Sequence, residues 1–146
     1  MKILIANRGE IVIRVAKTSS KLNLIPCGIY SEADKNSLFI KYCKESVNIG
    51  GFTAADSYLR MDKVINAAKQ LGCDLIHPGY GFLAENIAFS ELCKKEGLSF
   101  VGPSPNAMKI SGDKIKAKKV ASKVSPVLEG QEVSKEEDAL KVAQRI

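Results

Sequence analysis

The sequence has no tryptophan, a single histidine (His77) and only four cysteines in 146 residues. One histidine, with Cys27, Cys43, Cys73 and Cys93 scattered and no Cys-x-x-Cys pair, leaves no zinc-ligand spacing, so reduced and mostly buried thiols are expected. No apolar run approaches the roughly 20 residues of a membrane span. Met1-Lys2-Ile3-Leu4-Ile5 gives way at once to polar Asn7-Arg8-Gly9-Glu10, too short for a signal peptide. A cytoplasmic protein without a membrane partner is therefore expected. Internal repeats and low-complexity segments are absent too, and a hydrophobic content of 45% is enough for one proper core.

What is present in excess is positive charge: 22 Lys and Arg against 16 Asp and Glu, a formal +6. Such a balance favours anionic partners. Most of the excess sits in Lys114, Lys116, Lys118, Lys119 and Lys123. Interleaved with Ile115, Ala117, Val120 and Ala121, these lysines read as the solvated face of an amphipathic helix. No aromatic residue lies between them and no recognition motif surrounds them, so nucleic acid is not expected as a partner.

Apolar runs of strand length alternate with helix-period segments. Strands are expected at Ile3 to Ala6, Ile25 to Tyr30, Ser46 to Ile49, Asp74 to His77 and Ser99 to Val101. Helices are expected from about Glu10 to Leu22, near Ser37 to Lys44, from about Tyr58 to Leu71 and from Asn86 to Glu96. This β-then-α order predicts an α/β fold with a five-stranded parallel sheet, whose right-handed crossovers bring the carboxyl ends of the strands to one ligand-binding edge. Asn7-Arg8-Gly9, Ser31-Glu32, His77 to Glu85 and Gly102-Pro103-Ser104 fall on that edge. Beyond Val101 the pattern breaks. Short helices near Asn106 to Ile110 and Asp113 to Val124 precede Ser125-Pro126, with a domain boundary expected near residues 111 to 125. The capping box Ser134-Lys135-Glu136-Glu137 starts a last helix running towards Ile146, the opening of an unfinished second domain.

The most constrained segment is His77-Pro78-Gly79-Tyr80-Gly81-Phe82-Leu83-Ala84-Glu85-Asn86. Two glycines permit positive φ and close approach to a ligand, and Pro78 stiffens the entrance. Taken alone, the same residues also suit a tight strand-to-helix turn with a satisfied histidine. Asn7-Arg8-Gly9 lacks the three glycines of the dinucleotide fingerprint, which disfavours NAD. Arg8 could bind an anion, but a lone arginine without a glycine-rich nest suits better the locking of neighbouring loops through their carbonyls.

Placed in order, Ile5 to Ile11 with Arg14, Tyr30 to Asp34, Ile49-Gly50, Ser57-Tyr58-Leu59, Ile76 to Asn86, Phe100 to Pro103 and Gly112-Asp113-Lys114 resemble the amino-terminal domain of biotin carboxylase, the component shared by acetyl-CoA, propionyl-CoA and pyruvate carboxylases. The resemblance implies a Rossmann-like, pre-ATP-grasp domain over residues 1–112, with helices on both faces of its sheet. A linker helix and an incomplete start of an ATP-grasp domain would occupy residues 113–146. It also implies an ATP-dependent ligase that carboxylates biotin with bicarbonate, using ATP, Mg2+ and biotin. Its partners would be a biotin carboxyl carrier protein and a carboxyltransferase component. The family's metal ligands and acid-base residues lie in the later part, so no catalytic residue is expected here and the chain alone is expected to be inactive. By the same resemblance Lys114 matches a lysine that contacts the ATP phosphates, and Tyr80, Gly81 and Glu85 match the loop walling the biotin and bicarbonate site. Alternatives are a non-catalytic interface or remnant, and the front domain of another ATP-grasp ligase. Departures include Phe39 in place of the family's usual His, Lys44 in place of an acid, and Lys17 and Lys21 where bacterial members carry an Arg and a Glu in dimer contacts. Like charges at i,i+4 are unfavourable, so a homodimer of the bacterial mode is in doubt.

Overall fold

The computed structural model describes residues 1–128, 130 and 133–145, so the expected end of the last helix at Ile146 lies outside the described residues. Two compact units divide the chain, Met1–Pro105 and Asn106–Ile146. The first contains β1 (Lys2–Ile5), α1 (Glu10–Lys21), β2 (Ile25–Tyr30), β3 (Glu45–Asn48), α2 (Met61–Gln70), β4 (Leu75–His77), α3 (Ile87–Lys95) and β5 (Ser99–Phe100). Its sheet is parallel throughout, in the order β3-β2-β1-β4-β5, as the alternating pattern predicts. The central strand β1 sets Ile3 opposite both Pro26 and Leu75.

Because side chains alternate along a strand, β1 serves two cores. Leu4 and Ala6 join Cys27, Ile29 and Ile76 beneath α2 and α3, through Val64, Ile65, Ala68, Phe89 and Cys93. Ile5 turns to the other face and packs with Val12, Val15 and Ala16 of α1 and with Phe39. Buried residues at positions 12, 15, 16 and 19 follow the helical period of α1. Asn86 caps α3, its side-chain oxygen accepting from the Phe89 amide at 2.9 Å, a local reason for the helix to start there.

Two expected helices differ from what forms. The segment near Ser37 to Lys44 contains only a 3₁₀ turn, Leu38–Tyr42, preceded by another at Glu32–Asp34. The helix expected from Tyr58 begins at Met61. Ser57 and Tyr58 lie almost wholly buried in the turn before it, because the Tyr58 hydroxyl is engaged across the sheet edge rather than on a helix surface. The second unit contains α4 (Pro105–Ser111), α5 (Lys114–Ala121) and α6 (Glu136–Arg145). Asp113 caps α5, accepting from Ile115 and Lys116, and Ile115 and Val120 are about half exposed. Among the described residues no helix is long and apolar enough to cross a membrane.

All four cysteines are free; Cys27, Cys73 and Cys93 are buried and Cys43 half-buried. Burial pushes the thiols of Cys43 and Cys93 up to about 11. Since the thiolate is the reactive form, native protein near pH 8 should leave both at most about a hundredth as reactive as an ordinary thiol, and denaturant should release them. Rapid labelling of Cys93 without unfolding, read by mass spectrometry, would contradict this burial.

Candidate functional site

The sheet order places β2 and β3 on one side of β1 and β4 and β5 on the other, so the topological switch point lies between the carboxyl ends of β1 and β4. The chain leaves β1 as Asn7-Arg8-Gly9-Glu10 and leaves β4 as Pro78-Gly79-Tyr80-Gly81-Phe82. The first segment grips the second at three points. Asn7 is 4% exposed, and its amide nitrogen donates to the carbonyls of Pro78 and Tyr80, both at 2.8 Å. Its side-chain oxygen accepts from the Arg8 amide at 2.9 Å. Gly79, at φ +70°, passes so close that an added Cβ would stand 2.7 Å from the Asn7 amide nitrogen.

Arg8 makes the second grip. Its guanidinium lies 5.6 Å from the Phe82 ring centre and 5.7 Å from that of Tyr58, and these rings stack on each other at 5.3 Å, 4° from parallel. The same guanidinium is 3.6 Å from the Asp34 carboxylate. Phe82 adopts φ +37°, a conformation that a non-glycine residue holds only where its surroundings impose it. The third grip is a hydrogen bond from the Tyr80 hydroxyl to the Glu10 carboxylate, which lowers the carboxyl's pKa and raises the phenol's.

Asp34 is the hub behind Arg8. It accepts from the Tyr58 hydroxyl at 2.7 Å and from Ser31 at 2.9 Å, while the Ser31 amide donates to the Tyr58 oxygen at 3.1 Å. Burial pushes the carboxyl up, but the hydrogen bonds from Tyr58 and Ser31 and the charge of Arg8 outweigh it and hold Asp34 below its usual 3.8. Burial, reinforced by Asp34, pushes the Tyr58 phenol far up, so it stays a donor. A depressed folded pKa stabilises above the unfolded value and is lost as pH falls through the folded one. Tyr58→Phe should therefore cost about 1–2 kcal/mol at neutral pH and reduce the further loss of stability on acidification below about pH 4. Urea titrations across that range check both parts, and an unchanged acid limb would remove Asp34 as the titrating hub.

A cavity of about 600 Å³ opens above this clamp, bounded by Asn7-Arg8-Gly9-Glu10, Asp34, Phe39 and Tyr80-Gly81-Phe82. The structure therefore brings together Tyr80 and Gly81 of the residues singled out from the sequence. Glu85 is exposed in the turn before Asn86 and does not line the cavity. Asn86 caps α3 and the helix begins at Ile87, so Glu85 lies in the turn that precedes it. His77 lines no part of the cavity either. Its Nδ1 accepts the Gly79 amide at 3.0 Å, and burial lowers its pKa, so it serves the turn after β4. Lys114 is the exposed first residue of α5 in the second unit. Among the described residues no group of three or more His, Cys, Asp or Glu side chains is placed to hold a metal ion.

For Arg8, the loop-locking reading is the one realised, through rings and a carboxylate rather than carbonyls; the carbonyls belong to Asn7. Asn7 was placed on the ligand edge by the strand order, but its grip on the loop, and the parts of Glu10, Asp34 and Tyr58, were not identifiable from sequence spacing. The available signal was a polar Asn at the end of an apolar strand, where burial demands partners.

The sequence model of the family described as biotin carboxylase, N-terminal domain, matches residues 1–108. A pyruvate carboxylase subunit from Methanothermobacter thermautotrophicus is 45% identical over 99% of this chain, which covers 30% of that relative. Biotin carboxylase of Halalkalibacterium halodurans is also 45% identical over 99% of the chain, covering 32% of it. Among solved structures, the biotin carboxylase–β,γ-ATP complex from Campylobacter jejuni superposes with a TM-score of 0.85 at 44% identity, over 89% of this chain and 29% of that one. The biotin carboxylase domain of a single-chain bacterial carboxylase gives 0.89 at 35% identity, over 99% and 34%. The chain thus spans about a third of the length of these relatives. With the five-stranded parallel sheet and the clamped switch point in place, it belongs to the biotin carboxylase N-terminal domain family and corresponds to the amino-terminal part of a biotin carboxylase.

Proposed function

We propose that this chain supplies the biotin- and bicarbonate-facing wall of an ATP-dependent ligase that carboxylates carrier-bound biotin. The observation that carries the reading is the cavity at the switch point, where Tyr80 and Gly81 are held by Asn7, Arg8 and Glu10. A preorganised wall raises turnover because it need not be ordered when the substrate arrives. Residues 1–112 act as the pre-ATP-grasp domain and 113–146 begin the ATP-grasp part, with Lys114 contacting the ATP phosphates and Glu85 holding the loop's outer end towards an opposing domain. The biotin carboxyl carrier protein and a carboxyltransferase component are the partners, and ATP, Mg2+ and bicarbonate are used by the assembled enzyme. Alone, the 146-residue chain is expected to turn over no ATP, because phosphoryl transfer depends on positioned phosphates and metal.

The test replaces the matching segment of the Halalkalibacterium halodurans biotin carboxylase with this chain. The chimera should retain biotin-dependent ATP hydrolysis. Within it, Lys114→Ala should raise the apparent KM for ATP about tenfold, the value of one charged contact to phosphate, while Glu85→Gln should lower kcat with KM for ATP unchanged. A folded chimera without activity, beside an active parent, would refute the assignment; wild-type kinetics in both variants would remove the two residue roles.

A further inference from the structure

Towards the amino ends of the strands, away from the cavity at their carboxyl ends, Cys27 of β2 and Cys73 of the turn before β4 converge on one core. They flank β1 on its two sides. Cys27 stands opposite Leu4 in register, while Cys73 precedes Asp74, whose amide donates to the Lys2 carbonyl at 2.9 Å. Lys2 and Leu4 share a face of β1, and the Lys2 side chain spans the gap between the two cysteine-bearing segments. Its ammonium donates to the Leu71 carbonyl at 3.0 Å, in the turn leading to Cys73, and pairs at 2.7 Å with Glu45, the register partner of Cys27. The two thiols meet, Cys73 donating a hydrogen bond to the Cys27 sulfur. The other two cysteines lie apart from this contact. Cys43 packs on the opposite face of β2, where a Cβ added at Gly28 would stand 2.7 Å from its sulfur, and Cys93 is fully buried on α3.

We infer that Cys27 and Cys73 form an oxidisable site, closed to an intramolecular disulfide by hydrogen peroxide. Cys27 is the attacking sulfur. The hydrogen bond from Cys73, helped by the charge of Lys2, outweighs burial and Glu45 and holds the Cys27 thiol below its usual 9.0, while the same bond and burial push Cys73 far up. The Cys27 thiolate attacks one peroxide oxygen and the O–O bond breaks. The departing hydroxide takes the proton that Cys27 released, which gives water and a sulfenic acid on Cys27. The Cys73 sulfur then attacks the Cys27 sulfur, the S–O bond breaks, and the hydroxyl leaves with the Cys73 proton as a second water. The two thiols together lose two electrons and the peroxide gains them. Access to the pair is short. Cys73 is 8% exposed, and Gly72 and Asp74 on either side of it are exposed, so a small opening of that turn admits a molecule the size of peroxide.

The experiment treats the reduced 146-residue chain with a small excess of hydrogen peroxide, then counts free thiols in denaturant and maps linked peptides by mass spectrometry. Free thiols should fall from four to two in one phase, at least about tenfold faster than any loss of Cys43 or Cys93, with the far-UV spectrum unchanged. The peptides holding Cys27 and Cys73 should appear joined, and dithiothreitol should separate them. Cys27→Ala and Cys73→Ala should each abolish the fast phase, because the thiol that remains is then a buried one without its partner, whereas Cys43→Ala should keep it. Peptide mapping of the wild-type chain decides the pairing even if a variant fails to fold. Loss of Cys27 and Cys73 no faster than that of Cys93 would overturn the proposal. So would a linkage of Cys27 to Cys43, a linkage between two chains, or a Cys27–Cys73 disulfide that forms only in denaturant.

Discussion

Asn7→Ala is expected to destabilise the first unit by about 3 kcal/mol, because the side chain is almost fully buried and its amide supplies donors to two carbonyls of the loop after β4, those of Pro78 and Tyr80. Alanine leaves both without that donor, and an unsatisfied buried group costs roughly 1–3 kcal/mol, in full for the buried Pro78 contact and less for the part-buried one to Tyr80. The decisive comparison is Asn7→Asp, which keeps the shape but offers an acceptor where a donor is needed and points a carboxylate at two carbonyls. It should be at least as damaging as alanine. Urea unfolding by far-UV circular dichroism gives both values; a well-tolerated aspartate would show that packing rather than hydrogen bonding is the role of Asn7. Gly79 belongs to the same contact, because a side chain there would collide with Asn7 in a conformation that already favours glycine.

How much of this could be read in advance depended on whether the signal was local. The five strands and α1 were legible because alternation and the helical period are written along the chain, and burial at Val12, Val15, Ala16 and Ser19 follows directly from them. Tyr58 shows where that fails. Its neighbourhood suits a helix, but a phenol whose partner Asp34 lies 24 residues away is held in a turn by a bond that no window of sequence contains. Leu38 to Tyr42 fails for the opposite reason: the helical pattern is real but too short, and a 3₁₀ turn suffices to place Phe39 in the core. In the candidate site, the constrained loop was legible from Gly79 and Gly81, while the roles of Tyr80 and Gly81 rested on the family resemblance. The clamp was not, since Asn7 and Arg8 reach more than seventy residues along the chain to Pro78, Tyr80 and Phe82.

The clamp also gives Asn7-Arg8-Gly9-Glu10 a single physical sense. A lone arginine there suits loop locking better than anion binding, and Arg8 indeed faces Asp34, while Glu10 and Asp34 both border the cavity. The charge of Arg8 is thus balanced within the frame by Asp34 rather than left open. The motif is therefore the device that fixes the Pro78 to Phe82 loop.

The other large effect concerns what that loop rests on. Phe89→Ala is expected to cost about 4 kcal/mol, within the range for deleting a fully buried aromatic side chain. Phe89 is 0% exposed and meets Phe100 edge to face at 6.0 Å, so it ties α3 to β5. It also ends the path of the loop, since its amide is the one that Asn86 caps, and Leu83, buried just upstream, enters the same core. A domain of this size holds roughly 5–15 kcal/mol in all, so the variant should sit near its unfolding threshold. Phe89→Leu, which keeps most of the volume, should lose roughly 1–2 kcal/mol. Glu85→Ala, four residues away in sequence but exposed, should change stability by less than about 0.5 kcal/mol. Denaturant midpoints of the three variants at constant slope would establish that gradient. If Glu85→Ala proved as damaging as Phe89→Ala, the exposed turn would be part of the fold's support, and the reading of Glu85 as a residue directed at an opposing domain would fall with it.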